Sequence, residues 1–491
     1  MPPSTLAADA GTLRLRRNTM LWALTAMALF LVSTLLGLFL RLFQGNAFPA
    51  VEPVWFYSSL TLHAIIMVGA WFLGSMAGVH YLLARYVQPS STASELAMGG
   101  SVAGVVLIAI STLLGKFGVG WYFLFPLPLY PNGVWLPWAT AVFFAGLAIL
   151  AVFWLIWVLD LLRAIARRYS LSVALGWHIL RGAKEPEVPP LVLITTVSLV
   201  VVTAALVAAA LVLLLFLLHW SGRARVDALL MKNLTFLFGH IIVNITLYLG
   251  VAILYEMLPA FAGRPWKTSK LVAIAWNAVL LLVLFAYLHH LYMDFAQPRW
   301  VQVAGQTASY FLSLPAAAVT IFGVLALIYR SGFRWTMASR LLVCGVLGWV
   351  IGGIAAVIDA TVAVNSVFHN TLWVPAHFHT YYLMGVVLMV LAFFDHLSRE
   401  LTRPDTDVRA AGWTLVLLLA GGYGFLAMFY YGGATSVPRR FATYPEETLQ
   451  GVIQARVAAA FVVVLFGTLA VYLSRVAARC LRAFADCRNA S

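Results

Sequence analysis

Six of the eleven histidines in this chain lie inside apolar stretches. They are His63 in "LHAIIM", His240 in "FGHIIVN", His289 and His290 in "YLHHLYMDF", and His377 and His379 in "WVPAHFH". Neutral imidazole is the commonest metal ligand, so a cluster of imidazoles at one depth reads as metal ligation. On a helix, two residues are about 200° of rotation, which sends His377 and His379 to opposite sides. They therefore serve two sites. His289 and His290 are about 100° apart, close enough to share one ion once a third ligand closes the site, and His240 is the natural third. A three-histidine site with an open position suits copper, iron or zinc. His63 with His379 makes a bis-histidine pair, the pattern of a six-coordinate haem that transfers electrons. His377 alone would leave one axial position of a second haem free for substrate. The other five, His80, His178, His219, His369 and His396, fall at helix ends or in loops and read on physical grounds as packing or surface residues.

The elements that must position these groups are membrane helices. The chain has 491 residues, 63% hydrophobic and 10% charged, with a mean hydropathy of +0.94. Apolar runs of about 20 residues or more recur along its length, each long enough to cross a bilayer as a helix. Open sheet is not viable in lipid, so the expected fold is all-α with twelve transmembrane helices in one membrane domain over 1–491. The spans are expected at 20–43, 57–84, 98–121, 137–162, 191–218, 228–259, 271–293, 304–329, 340–363, 374–397, 411–431 and 453–474. The first follows Arg14, Arg16 and Arg17 and is longer than a signal-peptide core of about 7–15 residues, so it reads as a span.

With both termini in the cytoplasm, most of the 31 Lys and Arg fall on the cytoplasmic side, for example Arg167, Arg168, Lys184, Arg264, Lys267, Lys270, Arg479 and Arg482. The formal charge of +14 is then an orientation signal, and nucleic-acid binding is set aside. In that orientation the six histidines sit on spans 2, 6, 7 and 10, all in the outer half of the membrane or near its middle. Any one intramembrane histidine is as readily a hydrogen-bonded packing residue as a ligand. The coincidence of six in depth carries the weight. The three cysteines form neither a C-x-x-C pair nor the C-x-x-C-H of a covalent haem.

These motifs, with "HNTLWVPAHFH" (His369, His377, His379) and "VPRRFATYP" (Arg439, Arg440), resemble subunit I of the haem-copper oxidoreductase superfamily over essentially the whole chain. The wording of "HNTLWVPAHFH" is most similar to the B-type branch. The resemblance implies that His63 and His379 ligate a low-spin haem of b type, and His377 a high-spin haem of a or b type. His240, His289 and His290 would hold one copper ion, with non-haem iron the alternative. Arg439 and Arg440 resemble the pair that binds haem propionates, which a guanidinium suits well. His369 resembles a residue near the high-spin haem's propionate. A bacterial inner membrane is implied, and so is a second subunit that brings electrons through a cupredoxin (copper-A) or cytochrome c domain, with cytochrome c or a cupredoxin as donor.

The sequence also departs from that pattern. Oxygen-reducing members of the A and B branches carry a tyrosine four residues after the first copper histidine, one turn on and facing the same metal. Here that residue is Asn244, neither an acid nor a redox donor. The C branch moves its tyrosine to the next helix, where this chain has Val283, and Tyr287 is expected to face away from His289. B-type oxidases place hydroxyls one and four residues after a proline in span 8, where Pro315 is followed by Ala316 and Val319. Span 6 also lacks the acid that A-type enzymes place before the copper histidine. Tyr255 stands at a site resembling a channel residue, in a polar path that otherwise reads as broken. These losses resemble the nitric oxide reductases of the superfamily, because joining two NO molecules breaks no O–O bond. A B-type cytochrome c oxidase is the alternative. From another class, a transporter relaying protons through histidines would lack haem altogether.

Overall fold

The computed structural model describes residues 10–294, 296–402 and 408–489. Among them are twelve helices long and apolar enough to cross a membrane. They are α1 (Gly11–Gln44), α2 (Pro53–Leu83), α3 (Ser91–Leu114), α4 (Pro137–Tyr169), α5 (Pro190–Trp220) and α6 (Ala228–Ala262). They continue as α7 (Lys270–Leu291), α8 (Trp300–Ile328), α9 (Met337–Ala360), α10 (Trp373–Leu401), α11 (Gly412–Ala434) and α12 (Gln450–Ala485).

Local chemistry sets the helix starts. Proline stands at the first helical position of α2, α4 and α5, where its missing N–H costs nothing. Asp227 caps α6 by accepting from the N–H of Leu230 at 2.7 Å, and Ser269 caps α7 through Val272 at 3.2 Å. Thr336 and Ser339 form a reciprocal capping box at the head of α9.

The expected third span, 98–121, is misplaced. Ser90 accepts from the N–H of Ala93 and starts α3 at Ser91, so the polar run "STASEL" is helical. At the other end a π-turn over Ile110–Leu114 runs into Gly115, and the chain then leaves the helix for a long loop. Elsewhere the expected spans match, with ends shifted by two turns or less except at the start of α1 (11 against 20) and the end of α12 (485 against 474). The largest shifts are at α1 and α12, whose helices continue past their apolar runs into charged residues.

Consecutive helices pack as antiparallel neighbours, α1 against α2, α3 against α4, and so on to α11 against α12, which returns to α1. Three helices, α2, α6 and α10, also pack against one another. Their most apolar stretches are 83%, 78% and 89% buried, against 28% for α8 and 33% for α4. They are the interior of the bundle, and they carry His63, His240, and His377 with His379. Outward faces bear large apolar side chains such as Leu271 and Phe322, each 69% exposed. Lipid as the surrounding solvent makes such faces stable, where water would make them sticky.

At the opposite end of α10 from its histidines, buried Asp395 is neutralised from two sides. Arg479 of α12 reaches it at 2.9 Å and also donates to Ser398, and Arg399 donates to it at 2.9 Å. A buried charge is tolerable only with such partners.

Candidate haem and metal centre

All six intramembrane histidines line one cavity of about 660 Å³, together with Asn244, His369, Arg439 and Arg440. Two ligand arrangements are distinguishable within it.

His63 and His379 face each other with ring centres 6.2 Å apart and planes 15° from parallel. Two imidazole–metal bonds of about 2 Å plus the two ring radii account for that separation. The outer nitrogens are committed elsewhere. His63 Nδ1 lies 2.7 Å from the carbonyl of Ser33, and His379 Nδ1 lies 2.6 Å from the carbonyl of Pro375. A carbonyl only accepts, so both Nδ1 atoms carry the proton and both Nε2 lone pairs are free for a metal. Gly37 lets α1 come this close: a Cβ there would sit 3.0 Å from Cε1 of His63. Phe425 and Phe429 of α11 set their rings across His379, each at 5.6 Å and 76° and 89° to it.

His240, His289 and His290 form a second arrangement, with ligand nitrogens within 4.8 Å of one another. The adjacent pair sits on a 3₁₀ turn, Tyr287–Leu291, that ends α7. His290 stacks on Phe236 at 5.2 Å. His289 Nδ1 lies 3.0 Å from the hydroxyl of Ser309 on α8. That hydroxyl donates its own proton to the carbonyl of Gly305, so it accepts from Nδ1–H and leaves Nε2 of His289 free. His240 turns Nδ1 toward Nε2 of His290 at 3.4 Å. Its Nε2 lies 3.2 Å from the amide nitrogen of Asn244, whose N–H donates to the carbonyl of His240 at 2.8 Å. For Nδ1 to ligate a metal, Nε2 must hold the ring proton and the amide must turn its oxygen to it. The donor set fits copper, iron or zinc on chemistry alone.

The rim of the cavity is built by two strand-like passes. Leu372 N–H donates to the carbonyl of Val437, and Arg439 N–H to the carbonyl of Asn370, around an isolated antiparallel bridge between Thr371 and Pro438. This pairing sets the two arginines beside His369. Arg440 takes φ +68°, a left-handed conformation that costs a non-glycine residue about 1–2 kcal/mol, and lays its guanidinium over Tyr122 at 4.1 Å. Arg439 Nε is buried and, among the described residues, has no hydrogen-bond partner. Burial first, and then Arg440, push the Arg439 guanidinium down to about 9. Burial, Arg439 and Arg440 push His369 down to about 4, so it is neutral at pH 7. A buried guanidinium with an unpartnered Nε, as in Arg439, fits a carboxylate supplied by a ligand.

The family profile described as "Cytochrome C and Quinol oxidase polypeptide I" matches residues 17–467. The chain belongs to that family. It is 27% identical to a cytochrome c oxidase subunit 1 of Thermus thermophilus, over 87% of this chain and 77% of that one. It is 24% identical to a heme-copper oxidase subunit I+III of Aeropyrum pernix, over 87% of this chain and 52% of that longer protein. In three dimensions it is similar to a heme-copper terminal oxidase solved as a dimer, with a TM-score of 0.78 and 21% identity over 95% of this chain and 84% of that one. That likeness supports the fold.

As a member of this family, the chain carries cavity residues that motif reading passed over. Arg41 of α1 is buried, lies over Phe429 at 4.7 Å and lines the cavity. Among the described lining residues, Lys232 and Asp294 pair with each other. That leaves three guanidiniums, of Arg41, Arg439 and Arg440, against the single carboxylate of Asp359. An intramembrane acid such as Asp359 is a functional signal by default, and a survey restricted to histidines misses it.

The polar path is also less broken than expected. Ala316 and Val319 are apolar, but Thr320, one residue further, hydrogen-bonds Tyr255 at 3.0 Å and donates to the carbonyl of Ala316. Pro315 lies inside α8, and the first two buried residues that follow it are Ala316 and Thr320. Tyr287 faces away as expected, donating to Asn233 at 3.3 Å. Tyr248, two turns beyond His240, does approach the site: its hydroxyl donates to the amide oxygen of Asn244 at 3.4 Å.

Proposed function

We propose that this chain is the catalytic subunit of a haem-copper oxidoreductase that reduces nitric oxide: two NO, two electrons and two protons give N2O and water. In this reading His63 and His379 hold a low-spin haem, and His377 a high-spin haem. His240, His289 and His290 hold a copper ion, and Arg41, Arg439 and Arg440 bind propionates. The histidine end faces outward, both termini are cytoplasmic, and a second subunit with a cupredoxin or cytochrome c domain delivers electrons. The bound metals would supply two adjacent sites at which a pair of NO molecules can be held and reduced.

One observation carries the choice of substrate. The group against Nε2 of His240 is the amide of Asn244, where a phenol would supply the proton and electron that O–O cleavage demands. An amide supplies neither; joining two NO breaks no O–O bond, so its two protons and two electrons need not come from a phenol beside the metal. Purified protein with a reduced donor should turn over NO much faster than O2; the opposite ranking defeats the proposal.

Oxygen reduction (O2, four electrons and four protons to two water) is the second reading. It is favoured by the Tyr248 hydroxyl, which reaches His240 through Asn244, and by relatives named as cytochrome c oxidase subunit 1. The Tyr248→Phe variant separates the two: it abolishes O2 turnover if that phenol serves the chemistry, and leaves NO turnover within about threefold if it does not, an effect under about 1 kcal/mol.

A further inference from the structure

We infer that Asp359 is a positioning residue for His377, giving the ligand of the reactive haem an anionic partner that the electron-transfer ligands do not have. The inference rests on the reading of His377 as a haem ligand. His377 Nδ1 is buried and, among the described residues, meets no partner in good hydrogen-bond geometry; its backbone neighbour is Trp373, one turn back. Oδ2 of Asp359 stands 3.6 Å from it, slightly beyond hydrogen-bonding distance and within ion-pairing range. The other outer nitrogens described above meet uncharged groups: the carbonyls of Ser33 and Pro375 and the hydroxyl of Ser309.

The acid is placed by the fold. α9 ends as Thr361 turns to ψ 117°, which leaves Asp359 in the last helical turn, 5% exposed and lining the cavity. Asn365 locks the turn: its amide donates to the main-chain carbonyl of Asp359 at 2.8 Å and lies 3.5 Å from its Oδ1. The contact of Asp359 Oδ2 with His377 Nδ1 joins a carboxylate to a neutral imidazole rather than two charges, since a ligating histidine carries no net charge. Burying a carboxylate is expensive. A helix end here needed only Asn365 and a neutral residue. A carboxylate on the outer nitrogen of a ligating imidazole makes that imidazole a stronger donor to its metal. It therefore favours the oxidised iron and strengthens the iron–histidine bond. The low-spin ligands, resting on backbone carbonyls, lack this push.

The test is resonance Raman spectroscopy and redox titration of the haem-loaded protein carrying Asp359→Asn, an isosteric change that removes the charge. The iron–histidine stretch of the reduced high-spin haem should move to lower frequency and its midpoint potential should rise, while the low-spin haem is unmoved. Asp359→Glu should restore much of both. Where Asp359→Asn yields no haem-loaded protein, Asn365→Leu decides. Freeing the carboxylate from its amide lock should lower the same frequency by a smaller amount. An unchanged frequency and potential in the variant that assembles overturns the inference and leaves the haem assignment standing. A wild-type protein with no iron–histidine band, or a band that survives His377→Ala, overturns the haem assignment itself.

Discussion

The two halves of the cavity are held by different kinds of chemistry. Around His63 and His379, the second nitrogen of each ring is fixed by a backbone carbonyl, and the side chains nearby include two phenyl rings, one buried arginine and the Ser33 hydroxyl. Around His240, His289 and His377, the partners are an amide, a hydroxyl and a carboxylate. A 3₁₀ turn at Tyr287–Leu291 holds His289 and His290, and a π-turn at Tyr382–Val386 follows both ligands of α10. Such irregular turns are frequent at functional sites. A centre that only passes electrons needs an unvarying geometry, and main-chain partners cannot be substituted away. A centre that binds substrate needs tuned donors, and tuning comes from side chains. The reactive half should therefore be the half that point substitutions can change.

The contrast can be broken first at the ligands. His379→Ala should abolish the low-spin haem spectrum and nearly all turnover. His240→Ala should remove the second metal by elemental analysis while leaving that spectrum intact. Both losses should exceed the roughly 10–100-fold effect of deleting an outer hydrogen-bond partner. If His240→Ala removes the low-spin signal instead, the two halves have been misassigned.

Next come the side-chain partners in the reactive half. Ser309→Ala and Asn244→Leu should each weaken retention of the second metal by about 10–100-fold in chelator competition, with no change in low-spin absorbance. A smaller effect is expected at Gly37→Ala, whose added methyl would press on the His63 ring at 3.0 Å. Overpacking of this kind costs about 1–3 kcal/mol, and should appear as a shifted low-spin spectrum and a lower melting temperature. The smallest effect belongs to Ser33→Ala, because the bond to His63 Nδ1 is made by the Ser33 carbonyl, which alanine retains. Its loss should stay within about 1 kcal/mol with the spectrum unchanged. A large spectral shift would show that the hydroxyl, 3.3 Å from the same nitrogen, shares the load.

Local features made much of this legible from the sequence. Apolar run length decides whether a segment can span a bilayer, and that is a property of neighbouring residues; all twelve spans were found on that basis, with the start of α1 and the end of α12 more than two turns off because their helices continue into charged residues. The third, α3, is displaced at both ends: it begins in a polar run that a serine cap makes helical, and its end is set by Gly115. Periodicity likewise separated His377 from His379, because rotation per residue is fixed along an α-helix; His289 and His290 stay together although their turn is 3₁₀, where neighbours are about 120° apart.

Sequence spacing determined which faces of which helices carry imidazoles, and hence two sites on either side of α10. It could not say what stands opposite those faces. Ser33 meets His63 from α1, Ser309 meets His289 from α8, Asp359 meets His377 from α9, and Thr320 meets Tyr255 from one residue beyond the expected position. Each pairing joins different helices. A helical repeat orders groups along its own axis, but only the packing of helices around α2, α6 and α10 chooses their partners across the gap.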